Sequence, residues 1–377
     1  MKDKYKILYS LSEFMQGSMV KHVCHFVEGL NKDIFEPEIC AEAIDDEAAD
    51  AIRALNVPYY VSPLYPPRTL KLASISKFLM SPLFMRKKHY DIIHSLHYSS
   101  LCFEPLIIKL SGKTKYVYTK SNLQWDNHRI NWVLKSKLSD RIIAQAGSGL
   151  DLLYEKGFKN KTTLVYNGVD CADYTPLSEE MRFSARKNAQ IDDDVFVFGY
   201  AAHFIEVKDH ITLLKAITKL KAEYPKMILL LCGGAHDEVY HRNVMDYIKQ
   251  NDLTDDVKVM GTISDMKRFY AMCDCLVFPS KFENFSTVIL EALSSGLPII
   301  ASRRGGNIEQ VDDDKNGFLV NPEDSTAFAD AMKIYLNNPD LVKSHGRASR
   351  ELALKKYSVE VAVRKVQELY LELLENS

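Results

Sequence analysis

Two glutamates, Glu283 and Glu291, lie eight positions apart in KFENFSTVILEALSSGLP, residues 281–298. The preceding run, CLVFPS (275–280), reads as a buried strand ending at Pro279 and Ser280, and KFENF reads as a loop. Ser286 has the chemistry of an N-cap for the apolar helix TVILEALSS, which Gly296 and Pro298 then stop. The first amides of such a helix, around Phe285 to Val288, lack intrahelical acceptors and suit an anion or a sugar hydroxyl. Glu291 falls one turn in, and helical side chains lean back toward the N-terminus. Its carboxylate can therefore accept two hydrogen bonds from a vicinal diol such as a ribose. Glu283, in the loop, is free to accept from another hydroxyl or to shield a developing positive charge. An isolated pair at this spacing would read as a capping and a salt-bridged glutamate. The strand, proline turn, N-cap and glycine stop together favour a ligand site.

The elements that must position these residues alternate along the whole chain. Apolar, β-branched runs recur as YKILYSLS, FEPEICAEA, VPYYVSP, DIIHSLH, KYVYTKS, RIIAQA and TTLVYN in the first half. They return as VFVFGYAA, KMILLLCGG, DVKVMG, CDCLVFPS, LPIIAS and GFLV in the second. Runs of this kind separated by helical patterns indicate parallel sheets covered on both faces. Two successive blocks imply two Rossmann-like, doubly wound α/β domains, with ligands beyond the carboxyl ends of the strands in a cleft where the domains face each other. The break falls in YNGVDCADYTP (166–176), where Asn-Gly, Asp and Pro cluster and the hydrophobic period is lost. The expected domains are 1–168 and 169–358, with a last helix over about 359–377 packing back on the first.

Composition narrows the class. A chain of 377 residues exceeds one core, and 46% hydrophobic with 26% charged residues is ordinary for a globular protein. Seven scattered cysteines, an odd number within apolar runs, argue for reduced thiols in a cytoplasmic chain; Cys273 and Cys275 read as core. No N-terminal run is apolar enough for a signal peptide or a membrane span. Residues 1–170 carry 23 basic against 18 acidic side chains, and the remainder 25 against 32. Between Ser62 and Tyr90 there are six basic residues and no acidic one, interleaved with Leu, Ile, Phe and Met. Such a stretch is either a face that rests on an anionic membrane or a packed helix pair with a solvated basic rim. His22, Cys24 and His25 read as amphipathic helix positions rather than metal ligands, and the acidic triplets 192–194 and 312–314 as solvated turns.

PSKFENFSTVILEALSSGLPIIASRRGGNIEQV resembles the donor-binding signature of the retaining glycosyltransferase family 4, which has the GT-B fold. The resemblance runs through most of the chain: LVYNGVDCADYTP looks like the family's interdomain segment and NGFLVNPEDSTAFADAM its closing segment. It implies that Glu291 binds the nucleotide ribose and that Glu283 contacts the donor sugar. Asn284 and the amides of Phe285, Ser286 and Thr287 would lie near the sugar and phosphates. In GYAAHFIEVKDHITLLKA, Lys208 falls on a lysine that neutralises the diphosphate, while His203 stands where arginine is usual. An imidazole mostly neutral at pH 7 does not equal a guanidinium, so either the diphosphate protonates His203 or another cation, Arg303 or Arg304, compensates. Gly17 matches a glycine pair of the family that lets backbone amides approach the diphosphate, and Ser18 departs from it. Thr262 and Ile263 fall where relatives touch the base. Many relatives place a histidine near Ser121; here the local residues are Lys120, Ser121 and Asn122, with His94 and His97 as partial substitutes. Trp125 and Trp132 follow, toward the acceptor side.

The resemblance thus implies a cytoplasmic hexosyl transferase that moves a sugar from a nucleotide diphosphate donor to an acceptor hydroxyl with retention. It would need neither metal nor other cofactor and bind no nucleic acid. The basic apolar stretch at 62–90 suggests a lipid-linked or envelope glycan as acceptor and a peripheral place at the inner face of the membrane. The alternatives are a GT-B sugar-nucleotide epimerase and a binding module that has lost turnover. A nicotinamide dehydrogenase is disfavoured, because no G-x-G-x-x-G follows the first strand.

Overall fold

The computed structural model describes residues 4–14, 18–44, 46–64, 76, 78–97, 102–121 and 129–375. The chain divides into two compact units, one of residues 1–168 with 359–377 and the other of 169–358.

In the first unit the described strands are β1 (Tyr5–Phe14), β2 (Phe35–Ile44), β3 (Tyr59–Val61), β4 (Ile92–Ser95), β5 (Lys115–Lys120), β6 (Arg141–Ala144) and β7 (Thr162–Leu164). They pair in parallel in the order β3-β2-β1-β4-β5-β6-β7. Period-two alternation sends Ile7, Tyr9 and Leu11 of β1 into one core cluster and Leu8 into another. The long C-terminal helix, Val359–Glu375, completes the first cluster through Val363, Val366, Tyr370 and Leu373, which recur at helical spacing. Each fully buried side chain of this kind contributes about 1.5–3 kcal/mol before chain entropy. Gly29 permits the contact, since a Cβ there would stand 2.8 Å from a Val363 methyl. Arg141 adds an ion pair to Glu372 at 2.5 Å.

The second unit holds β8 (Phe196–Ala201), β9 (Met227–Cys232), β10 (Val257–Gly261), β11 (Cys275–Phe278), β12 (Ile299–Ser302) and β13 (Gly317–Val320). Their parallel order is β10-β9-β8-β11-β12-β13. The direction of winding reverses between β8 and β11, so the loops leaving these two strands flank the crevice where such sheets bind ligands. Cys273 and Cys275 are fully buried core, and all seven cysteines are free thiols. The acidic triplets are stitched into turns: Asp194 pairs with Lys226, and the Asp312 amide donates to Asn316 at 2.7 Å.

Candidate active site

The helix Thr287–Ser294 of the second unit follows from its end signals. Ser286 caps it, its Oγ accepting from the Ile289 amide at 3.3 Å. At the other end Gly296, at φ +76°, donates to the Leu293 carbonyl while Leu297 donates to Ala292, both at 3.0 Å. That is the Schellman arrangement, open to glycine because of its positive φ. Thr287 and Val288, in the first turn, have no acceptor in the helix's own ladder.

Lys208 lies beyond β8 in a short 3₁₀ turn, Glu206–Lys208, before the helix His210–Leu220, which Asp209 caps. The loop after β11 is tied to this turn. The Lys281 amide and the Ser280 hydroxyl both donate to the Val207 carbonyl, at 2.9 and 3.2 Å, and Tyr200 Oη holds the Lys208 carbonyl at 2.5 Å. Lys208 Nζ then meets Glu283 Oε2 at 2.6 Å, with 21% and 18% of the two side chains still exposed. Glu283 is therefore not a free acceptor in this structure: it holds the lysine at the mouth of the crevice, because the reversal point between β8 and β11 brings the two loops together.

The loop after β12 closes over the same segment. At Gly305 a Cβ would lie 1.8 Å from the Glu283 carbonyl oxygen, and at Gly306 one would lie 2.0 Å from that of Asn284. Only glycine allows backbones to approach so closely. Gln310 grips Ser286 from both sides, accepting from its amide at 3.1 Å and donating to its carbonyl at 2.7 Å. The Ser286 amide, expected to face a ligand, is thus already bonded, and Thr287 and Val288 are left as the helix-start donors. Phe285 is buried with its ring against Tyr357, centroids 5.5 Å apart, and Asn284 is half-buried.

Glu291 is half-buried one turn into the helix and accepts from Tyr270 Oη at 2.8 Å. Tyr174 also bonds it, and this bond, the negative charge and above all burial raise the Tyr174 phenol well above its ordinary value. A carboxylate has about four lone-pair positions, so two tyrosines orient Glu291 and leave room for a diol. These tyrosines were not recognised from the sequence: Tyr174 sits in the segment read as an interdomain break, and Tyr270 in a short helix, Met266–Met272, that carried no site signal.

His203, after β8, is exposed and stacks on His236, which follows β9, with centroids 3.8 Å apart and rings 24° from parallel. Its pKa is lowered by partial burial, then by His236 and Lys208. Of the two arginines expected to compensate, Arg303 is engaged with Asp313 at 2.6 Å and with the Leu319 carbonyl at 3.0 Å. Arg304 is exposed beside the glycine pair. Thr262 is exposed at the end of β10, and its Oγ1 would lie 3.3 Å from a Cβ on Gly234. The Ile263 amide faces the Cys232 thiol.

The first unit places its expected residues differently. His94 is fully buried, with Nδ1 bonded to Tyr370 Oη and Nε2 to Thr119 Oγ1, both at 2.6 Å, and burial lowers its pKa to about 3. It is a core histidine, not a residue open to a ligand: β4 lies inside the sheet, and its side chain packs under the C-terminal helix. His97 is also buried, its pKa lowered to about 3, and stands 3.8 Å from Glu42. Lys120 is buried over the Trp132 ring at 3.8 Å, and burial, helped by Lys135, lowers its pKa to about 7. Ser121 is half-buried. Gly17, Asn122 and Trp125 lie outside the described residues. Glu104 and Lys135, which the sequence reading did not single out, are fully buried in the same region. Ser95 and Tyr116 donate to Glu104 at 2.5 and 2.7 Å. Glu104 offsets the charge of buried Lys135, so the two support the fold as a buried charge pair.

Comparisons with known proteins agree with this architecture. Residues 181–352 match the family described as glycosyl transferases group 1, and residues 19–173 match glycosyltransferase family 4. The chain is 27% identical to the D-inositol 3-phosphate glycosyltransferase of Corynebacterium urealyticum over 62% of its own length and 55% of that protein. It is 22% identical to the UDP-Gal:alpha-D-GlcNAc-diphosphoundecaprenol alpha-1,3-galactosyltransferase of Escherichia coli over 90% of its length and 89% of that enzyme. Among solved structures it resembles Anabaena Alr3699/HepE in complex with UDP, with a TM-score of 0.85 at 19% identity over 97% and 100% of the two chains. The chain belongs to the group 1, family 4 glycosyltransferases, and its two parallel-sheet domains are the GT-B fold.

Proposed function

We propose that the protein transfers a hexose from a nucleotide diphosphate sugar to an acceptor hydroxyl with retention at the anomeric carbon. The observation that carries this reading is the Lys208–Glu283 pair, 2.6 Å long and still accessible, where the winding of the second sheet reverses. Glu291 takes the ribose diol, and Thr262 and Ile263 line the base. Lys208 and the amides of Thr287 and Val288 meet the diphosphate. As the bond from the anomeric carbon to the phosphate oxygen lengthens, charge develops on that oxygen, and preorganised cations and amides are worth most there. The acceptor oxygen bonds the same face of the sugar within the ion pair, and its proton passes to the departing phosphate. Glu283 keeps Lys208 aimed before the donor arrives and faces the sugar once Lys208 turns to phosphate. No step needs a metal ion, so turnover is expected to survive a chelator.

The acceptor is proposed to be lipid-linked, in envelope or capsule glycan synthesis, with the first unit resting on the inner face of the cell membrane. In support, the helix Ser81–Lys88 buries Met85 yet leaves Leu83 and Phe84 exposed beside Arg86, Lys87 and Lys88. The adjoining helices Phe103–Ser111 and Arg129–Leu138 expose Leu110 and Ile130, at 68% and 76%. An apolar, basic face complements an anionic bilayer. No described helix is long and apolar enough to cross a membrane.

A thermal-shift panel of nucleotide sugars and nucleoside diphosphates tests the donor site, because binding stabilises by mass action. No shift with any of them, at any pH, would overturn it. Donor incubated without acceptor should undergo at most slow hydrolysis; conversion to an epimer would make the protein an epimerase. Failure to float with anionic vesicles at low salt would remove the membrane surface.

A further inference from the structure

Where a second permanent cation would complete the diphosphate site, the second unit carries two stacked imidazoles. Both rings are exposed at the carboxyl ends of neighbouring strands, His203 beyond β8 and His236 beyond β9, 3.8 Å apart. The backbone fixes this stack. The Ala202 amide donates to the Cys232 carbonyl at 2.8 Å, Phe204 to Gly234 at 2.9 Å, and Asp237 to Phe204 at 3.1 Å. Gly233, at φ +156°, lies so close that a Cβ would reach 1.9 Å from the Ala202 carbonyl oxygen. On the far side, a Cβ on Gly234 would lie 3.3 Å from both the His236 ring and the Thr262 hydroxyl, which makes one continuous face from His203 to Thr262.

We propose that the His203–His236 pair is the second diphosphate-binding group of the donor site and that it takes up one proton when the donor binds. This deepens the reading of the second unit as a nucleotide-sugar site and rests on it. The charged surroundings explain why the proton arrives with the ligand. Lys208, on the turn after His203, opposes a positive charge on that ring, and its own charge is balanced by Glu283. Asp237, next to His236, is committed to the amides of Val239 and Tyr240, each at 3.0 Å. Glu206 is exposed on the same turn as Lys208. Beneath, His210 is buried against Phe204, rings 4.4 Å apart, with its pKa lowered to about 3 by burial, so it does not compete for the proton. A diphosphate laid over this face reverses the balance for one imidazole and not for two, because two stacked imidazolium ions would repel. His203 is already lowered in the free protein and is raised by the anion. Binding is therefore linked to proton uptake, and affinity rises as pH falls through the raised value, by up to about tenfold per pH unit for one proton.

The test is calorimetric titration of UDP-glucose and of GDP-mannose between pH 6 and 8, in two buffers of different ionisation enthalpy and with a chelator present. Neither donor's diphosphate titrates in that range. The expected result is about tenfold tighter binding at pH 6 than at pH 8, with proton uptake approaching one toward pH 6 and falling away toward pH 8. His203→Arg should bind with little pH dependence. The double variant His203→Gln with His236→Gln, checked for an unchanged melting temperature, should bind more weakly than the native protein and lose most of the tightening at pH 6. Flat affinity in the native protein, or a full native slope in the double variant, overturns the pair while leaving the donor site standing. Absence of binding by both donors at every pH, in the native protein and in His203→Arg, would instead overturn the donor site itself.

Discussion

At the carboxyl ends of β4 and β5 in the first unit, His94, His97 and Lys120 are all buried to within 2% exposure. At the ends of β8, β10 and β11 in the second, His203 and Thr262 are exposed, and Lys208 and Glu283 remain partly so. All are carboxyl ends of parallel strands, β4 and β11 holding the same place beside the reversal of winding in their sheets, and they carry similar kinds of side chain. In the first unit burial pushes His94 and His97 far down and Lys120 toward neutrality, and hydrogen bonds to Tyr370 and Thr119 occupy both ring nitrogens of His94. In the second unit the polar groups are held by backbone stitching and by single contacts that a ligand can replace. A strand end therefore marks where chemistry can be placed, and desolvation decides whether the group there supports the fold or meets a ligand.

The largest effect expected from breaking this contrast is in the first unit. Glu104→Ala removes the carboxylate that opposes buried Lys135 and accepts from Ser95 and Tyr116, and should cost about 3–5 kcal/mol of stability. Denaturant unfolding measures it, and a loss below about 1 kcal/mol would mean the cluster is not structural. Lys208→Ala, in the second unit, should lower turnover on the order of 10²–10³-fold, or about 2.7–4 kcal/mol, with the melting temperature nearly unchanged. Near-normal turnover would remove Lys208 from the chemistry.

Acid sharpens the contrast. Burial holds His22 near 4 and His94 and His97 near 3 in the first unit, against His210 near 3 in the second. An unfolded histidine titrates near 6.5. The folded pKa is the lower one, so these groups contribute stability that is present above about pH 6.5 and is lost as pH falls toward 4 and then 3. Hydrogen exchange at pH 5 against pH 7 should show the first unit losing protection more than the second; equal loss would contradict the assignment of its histidines to the core.

Smaller effects separate the contacts around Glu291. Glu291→Gln should weaken nucleotide binding by about 1.5–3 kcal/mol, the range for hydrogen bonds to charged groups, and unchanged affinity would end its ribose role. Tyr174→Phe, which removes one of its two orienting bonds, should cost about 1 kcal/mol of affinity or less.

Each of the thirteen runs read from the sequence overlaps one observed strand, because parallel strands covered on both faces are mostly apolar. The helix Thr287–Ser294 was equally legible, since its N-cap and its glycine stop act within a few residues of each other. The occupancy of the site was not legible. That Glu283 would be held by Lys208, Glu291 by Tyr270, the Ser286 amide by Gln310 and Arg303 by Asp313 depends on pairs brought together only by the winding of the sheet. His94 looked reachable because a sequence does not reveal that a helix more than 270 residues later will cover it.

The sequence by itself determined the alternation of strand and helix, the caps and stops, and the placing of polar residues just beyond the strands. These follow from local sterics, backbone hydrogen bonding and the period of the hydrophobic pattern. The tertiary structure alone decided which of those polar residues keep water and which lose it. Burial and pairing depend on neighbours distant in the chain, and they set both the charge of a histidine or lysine and its freedom to bind anything else.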